Sequence, residues 1–114
     1  MGYRSFEELE VWKKSCRLAV RIYEWLKDQM TRAAVSIPSN IAEGSERNSK
    51  QEYIRFIHIA KGSAAELRTQ LYIAAEIGLM EKATVVELTS ELKHISAMLQ
   101  KAANTIKQRL KQQP

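Results

Sequence analysis

Trp25-Leu-Lys-Asp-Gln-Met-Thr-Arg-Ala-Ala-Val-Ser-Ile-Pro-Ser-Asn-Ile-Ala-Glu-Gly44 decides how this chain folds. From Thr31 to Gly44 it reads as an amphipathic helix with Pro38 inside it and a glycine at its end. An interior proline removes a backbone hydrogen bond and crowds the preceding turn, at a cost of about 3 kcal/mol. Such a helix is bent, tightly packed, or both. Ser36, Ser39 and Asn40 flank Pro38 and can serve the backbone groups it frees. Met30, Ala33, Ala34, Ile37 and Ile41 form the inward face, and Gly44 takes the position after the last helical turn.

Upstream, Ser5 and Glu8 are spaced as a capping box. Leu9, Trp12, Cys16, Ala19, Tyr23 and Leu26 then recur by threes and fours, one helical face. Val11, Leu18, Ile22 and Trp25 make a second stripe, so this helix expects two neighbours. Between Lys27 and Asp28 there is no glycine, proline or polar cluster to turn the chain. Either the two segments are one helix or turn residues are absent at that point. The second reading is preferred, because a single rod would approach about 60 Å.

Downstream, Ser45-Glu-Arg-Asn48 is a polar loop, and Ser49 with Glu52 forms a second capping box. Tyr53, Ile57, Ala60, Ala64, Leu67, Leu71 and Ala74 keep heptad spacing up to Gly78. Val85, Leu88, Leu92, Ile95, Leu99, Ala102 and Ile106 repeat it. Two such helices joined by a few residues form an antiparallel hairpin. No sustained period-two alternation competes. The expectation is an all-α, up-down antiparallel four-helix bundle with a proline-kinked second helix, one domain over residues 1–114, with a basic end from Lys107 to Pro114 that frays.

The 114 residues are 45% hydrophobic and 27% charged, with one cysteine and two histidines. One cysteine excludes a disulfide framework and a thiolate zinc site. The apolar runs are too short to span a membrane, and the beginning of the chain has no secretory pattern, which favours a cytoplasmic setting. Glu91 and His94 have the Glu-x-x-His spacing of di-metal helix bundles, which need that pair twice; His58 has Arg55 three residues before it, so no second pair exists. Cys16 lies on an apolar stripe without a visible base, and Ser36 and Ser39 lack a histidine at a suggestive spacing. The expectation is a protein without enzymatic activity, metal or cofactor.

Charge is more informative. Lysine and arginine number 18 against 13 acidic residues, a net charge of +5. Lys14, Arg17 and Arg21 share a stripe on the first helix. Arg47 and Lys50 flank the polar loop. Arg55, His58, Lys61, Arg68 and Tyr72 share a stripe on the third. Stripes of this kind neutralise phosphates, and Tyr72 or His58 can stack on a base. The competing reading is a solvated or intersubunit face paired with Glu7, Glu10, Glu24 and Glu66. Arg32, Ser36, Asn40, Glu43, Ser63, Glu66 and Gln70 sit near or on apolar faces, so side-chain bonds between the second and third helices are expected.

Three blocks carry a family resemblance: Leu9-Glu-Val-Trp-Lys-Lys-Ser15, Arg32 through Gly44, and Tyr53 through Leu67. Together they resemble the 23S rRNA-intervening sequence proteins. The resemblance implies a four-helix bundle assembled as a homopentameric ring. A related branch, the accessory variability determinant of diversity-generating retroelements, works with a reverse transcriptase and binds nucleic acid through a basic surface. Members usually have a longer turn where Lys27 meets Asp28 here. The resemblance therefore implies a homo-oligomer that binds nucleic acid, RNA in preference. The alternative is a scaffold that docks a nucleic-acid-processing partner protein.

Overall fold

The computed structural model describes residues 5–112. It contains three long helices, not four: α1 over Glu10–Ser45, α2 over Lys50–Glu76 and α3 over Lys82–Lys111, preceded by a 3-10 turn at Phe6–Glu8. The described residues contain no strand. The four-helix bundle is thus corrected to an all-α chain of three long helices. Its first and second predicted helices are the two halves of α1.

The helix passes through Lys27 and Asp28 without interruption, and Thr31 Oγ1 donates to the Lys27 carbonyl at 2.9 Å. The expected missing turn does not exist. Local preference explains why: nothing between Trp25 and Met30 breaks a helix, and the apolar spacing never slips. Leu9, Cys16, Tyr23, Met30, Ile37 and Gly44 recur every seven residues, with Trp12, Ala19, Leu26 and Ala33 between them. At 1.5 Å per residue α1 is about 54 Å long. The rod that had argued against continuity is what the chain forms.

Capping also departs from expectation at the beginning. Ser5 precedes only the 3-10 turn and its hydroxyl caps nothing; the residue before α1 is Leu9. Ser49 does cap α2, its Oγ accepting from the Glu52 amide at 3.2 Å. Gly78, at φ +79°, ends the α2 segment, with the Leu79 amide donating to Ala74 at 2.8 Å and the Gly78 amide to Ala75 at 3.1 Å. That pair of bonds is a Schellman closure, which glycine permits without strain. Gly44 acts differently. It lies inside the last turn of α1, buried, where a Cβ would meet Phe56 Cβ at 2.7 Å. It allows α1 and α2 to approach closely. The basic end does not fray at Lys107, since α3 continues to Lys111; Gln113 and Pro114 lie outside the described residues.

α2 packs on α1 along one side and on α3 along the other. The core is Ile37 with Ile57, Ala60, Ala64 and Leu71 of α2 and Val85, Leu92, Leu99 and Ala103 of α3. Ala103 takes the buried place expected of Ala102, which is exposed. Beside Pro38 a polar relay crosses the α1–α2 seam. Asn40 Nδ2 donates to the Ser36 carbonyl at 2.8 Å and to Ser36 Oγ at 2.9 Å, and the Ser36 and Ser63 hydroxyls meet at 2.8 Å. Of the seven polar residues, Ser36 and Ser63 make the expected bond between helices, whereas Gln70 bonds only to Glu66 of its own helix and its Oε1 is buried without a partner among the described residues. Buried polar groups with partners cost little and fix register.

The molecule measures 87 × 28 × 13 Å. Helices pack about 8–10 Å apart, so 13 Å of thickness is too little for a closed square of four. The reason is that α1 and α3 both pack on α2 and not on each other; the overhang adds length, with every residue from Glu10 to Trp25 exposed and burial on α1 starting at Leu26.

Candidate nucleic-acid interface

The predicted site residues fall into two separate regions. Arg47, Lys50, Arg55, His58, Lys61, Arg68 and Tyr72 lie on the α1–α2 turn and α2. Lys14, Arg17 and Arg21 lie on the exposed part of α1 that neither α2 nor α3 covers. One continuous basic surface does not form within a single protomer.

At the turn, Phe56 organises the first cluster. Its ring is buried, and the Arg47 and Arg55 guanidinium carbons stand 4.9 and 4.7 Å from its centroid. Stacking on an aromatic face holds a guanidinium in place while leaving its outward edge free to donate. Each arginine also meets a carboxylate, Arg47 with Glu43 at 2.7 Å and Arg55 with Glu52 at 2.8 Å. These exposed pairs are weak, about 0.2–1 kcal/mol, and exchangeable for a phosphate. Lys50 is exposed at the first position of α2, between them.

Further along, His58 is exposed, whereas Lys61 is half-buried because its Nζ donates to Gln100 Oε1 of α3. Gln100 is held in turn by Asn104, to whose Oδ1 its Nε2 donates at 2.9 Å. Arg68 and Tyr72 share a shallow groove with Val85, Val86, Thr89, Ser90 and Lys93 of α3. The ion pairs among the described residues are Lys13–Glu10, Arg47–Glu43 and Arg55–Glu52. Arg68 and Lys93 therefore present cationic groups beside the exposed Tyr72 ring without a described carboxylate to neutralise them. Lys93 was not among the sequence candidates. Its signal was positional, one turn beyond Thr89 on the face of α3 flanking the heptad, and it became visible only when α3 was laid beside Arg68.

Glu91 and His94 are exposed, and among the described residues no cluster of three His, Cys, Asp or Glu side chains is placed to hold a metal. Cys16 is an exposed free thiol on the overhang, not the buried apolar group its stripe suggested. No helix among the described residues is long and apolar enough to cross a membrane.

The chain is an elongated all-helical protein with surface arginines stacked on one ring and an amphipathic segment that neither α2 nor α3 covers. The 23S rRNA-intervening sequence protein family model matches residues 7–101, and the chain belongs to that family. No curated protein matches the chain.

Proposed function

We propose that this protein is a non-enzymatic, homo-oligomeric nucleic-acid-binding protein that favours RNA and contacts phosphates through the outer surface of α2 and its two flanks. The observation that carries this reading is the Phe56 cluster: two arginines held on one ring, followed along α2 by the Arg68–Tyr72–Lys93 groove. An arginine held in position before binding loses less side-chain freedom on meeting a phosphate. Membership of a family named for ribosomal RNA intervening sequences is compatible with an RNA-related role. The resemblance implies five copies per ring, and repeated weak patches raise avidity without a strong contact in any one.

The test is a salt titration of binding to single-stranded RNA and duplex DNA. Affinity falls steeply with salt and depends little on sequence. Arg55→Glu with Lys61→Glu and Arg68→Glu lowers affinity at least tenfold and flattens the salt slope, while circular dichroism stays unchanged. Unaltered RNA and DNA retention in that folded variant removes the α2 stripe from the site.

A scaffold for a partner protein is the second reading. It is favoured by the exposed apolar groups beside the same stripe, Ile59, Ile73 and Val86. A partner protein on this face is sensitive to Ile73→Asp and Val86→Asp and much less sensitive to salt.

A further inference from the structure

The overhang and the groove beside it are complementary and cannot meet within one chain. On one side, residues 10–25 stand free with Val11, Leu18, Val20, Ile22 and Trp25 all more than half exposed and Trp12 at 39%. An amphipathic helix with no partner is marginal in water, since its stability comes from burying its apolar stripe. On the other side, α1 and α3 stand apart over α2, leaving a groove of about 360 Å³. Met30 and Ala34 of α1, Leu67 and Leu71 of α2, and Leu88, Leu92 and Ile95 of α3 line it. Such a groove, bounded by three helices on three sides, has the form of the fourth position of a bundle.

The chain's own overhang does not reach it. Reaching it requires a reversal, and α1 runs helically through Lys27 and Asp28. We propose that a second copy of this chain supplies the occupant: the two molecules exchange overhangs, each completing a four-helix unit with the other's residues 10–25. This proposal is independent of nucleic-acid binding.

Three observations select a second copy over any other partner. First, the apolar spacing of α1 stays in phase from Leu9 to Gly44, and its second half already faces α2. Two units stacked end to end on one axis need the inward face of the shared helix to point the same way in both. A chain that turned back would have no such need. Second, the tip of the α2–α3 hairpin reaches the level of the overhang, Leu79 lying beside Ala19, Tyr23 and Lys27. Two molecules meeting tip to tip therefore carry Leu9, Trp12 and Cys16 of each to the level of the other's groove. Third, a straight helix closes the exchange at two. An overhang antiparallel to its neighbour's second half places the neighbour's overhang antiparallel to its own, an isologous twofold contact. Five-membered rings then require ten chains.

The experiment is light scattering on the full chain, beside a variant with a six-residue Gly/Asn/Ser turn inserted between Lys27 and Asp28. The wild-type mass is an even multiple of 13.1 kDa. The insertion lets each overhang fold back, so the mass halves at unchanged helicity. Trp12→Glu, a second variant that alters no backbone, puts a charge in the groove and weakens association at least tenfold while exposing residues 10–25 to protease. A wild-type monomer at 100 µM, or an odd assembly, overturns the proposal. So does a helical insertion variant of undiminished mass. A monomer whose overhang is protected only by anionic vesicles also overturns it and assigns the segment to a lipid surface.

Discussion

Two halves of one helix carry the same pattern and meet opposite fates. From Leu26 to Gly44 the a and d positions Leu26, Ala33, Ile37 and Gly44 of α1 are buried, with Leu26 and Ile37 both at 7% exposure, and Met30 and Asn40 half-buried. From Trp12 to Tyr23 the same positions lie in solvent. Hydrophobic periodicity says only that a face seeks cover; it does not say which chain provides it. What separates the halves is the connection. Ser45–Ser49 contains a turn, so α2 returns along the second half of α1, whereas Lys27–Asp28 contains none and only the hairpin tip at Leu79 reaches the first.

The largest expected contrast comes from truncating one apolar residue in each half. Ile37→Ala removes most of a buried side chain at the centre of the α1–α2 seam and should cost about 2–5 kcal/mol. In urea the midpoint falls with little change in slope. A cost below about 1 kcal/mol means that the α1–α2 seam is loose and that the two halves differ less than their exposures indicate.

Gly44→Ala sharpens the comparison from the close-packed end. Alanine is the better helix former by about 1 kcal/mol, yet its Cβ would sit 2.7 Å from Phe56 Cβ, an atom fixed to the α2 backbone. Overpacking of this kind costs about 1–3 kcal/mol, so the net change is destabilising. Because Arg47 and Arg55 rest on that same Phe56 ring, the variant should also weaken RNA binding more than its stability loss explains. Ser49→Ala follows with a loss of about 1 kcal/mol, since it removes only the cap on the Glu52 amide.

These expectations also mark what the sequence made legible. The α2–α3 hairpin was readable apart from the buried place of Ala103, expected of Ala102, because Ser49, Gly78 and two heptad runs agree with one another. The Ser36–Ser63 bond was readable because polar groups on a packed face must find partners. The count of helices was not. Nothing in the sequence turns the chain at Lys27–Asp28; the length of a single rod argues for a turn there, and local helix propensity outweighs it. Gly44 misled for a related reason: close approach and chain reversal both call for glycine, and only the α2 neighbour tells them apart. For the interface, the α2 cations were legible as a stripe. The role of Phe56 in holding Arg47 and Arg55 was not, since it depends on residues from two helices meeting at the turn. Lys93 was hidden because pairing α3 with α2 is what brings it to Arg68.

The smallest expected effect lies on the back of the overhang. Leu18 belongs to the second stripe, with Val11, Ile22 and Trp25, about a third of a turn from the a and d face. It is 55% exposed in the protomer, and it faces away from the groove when the overhang is exchanged. Leu18→Ala should therefore change stability by no more than about 0.5 kcal/mol, a shift in melting temperature of about 2 °C. Trp12→Ala, on the face that enters the groove, should cost several times more in the associated protein than in a monomer, where it loses only the edge contact with the exposed Phe6 ring. The ratio of the two effects reports which face of residues 10–25 is covered. Should Leu18→Ala lower the melting temperature by 5 °C or more, both faces are covered, and the two halves of α1 are alike in the assembly despite their difference in the single chain.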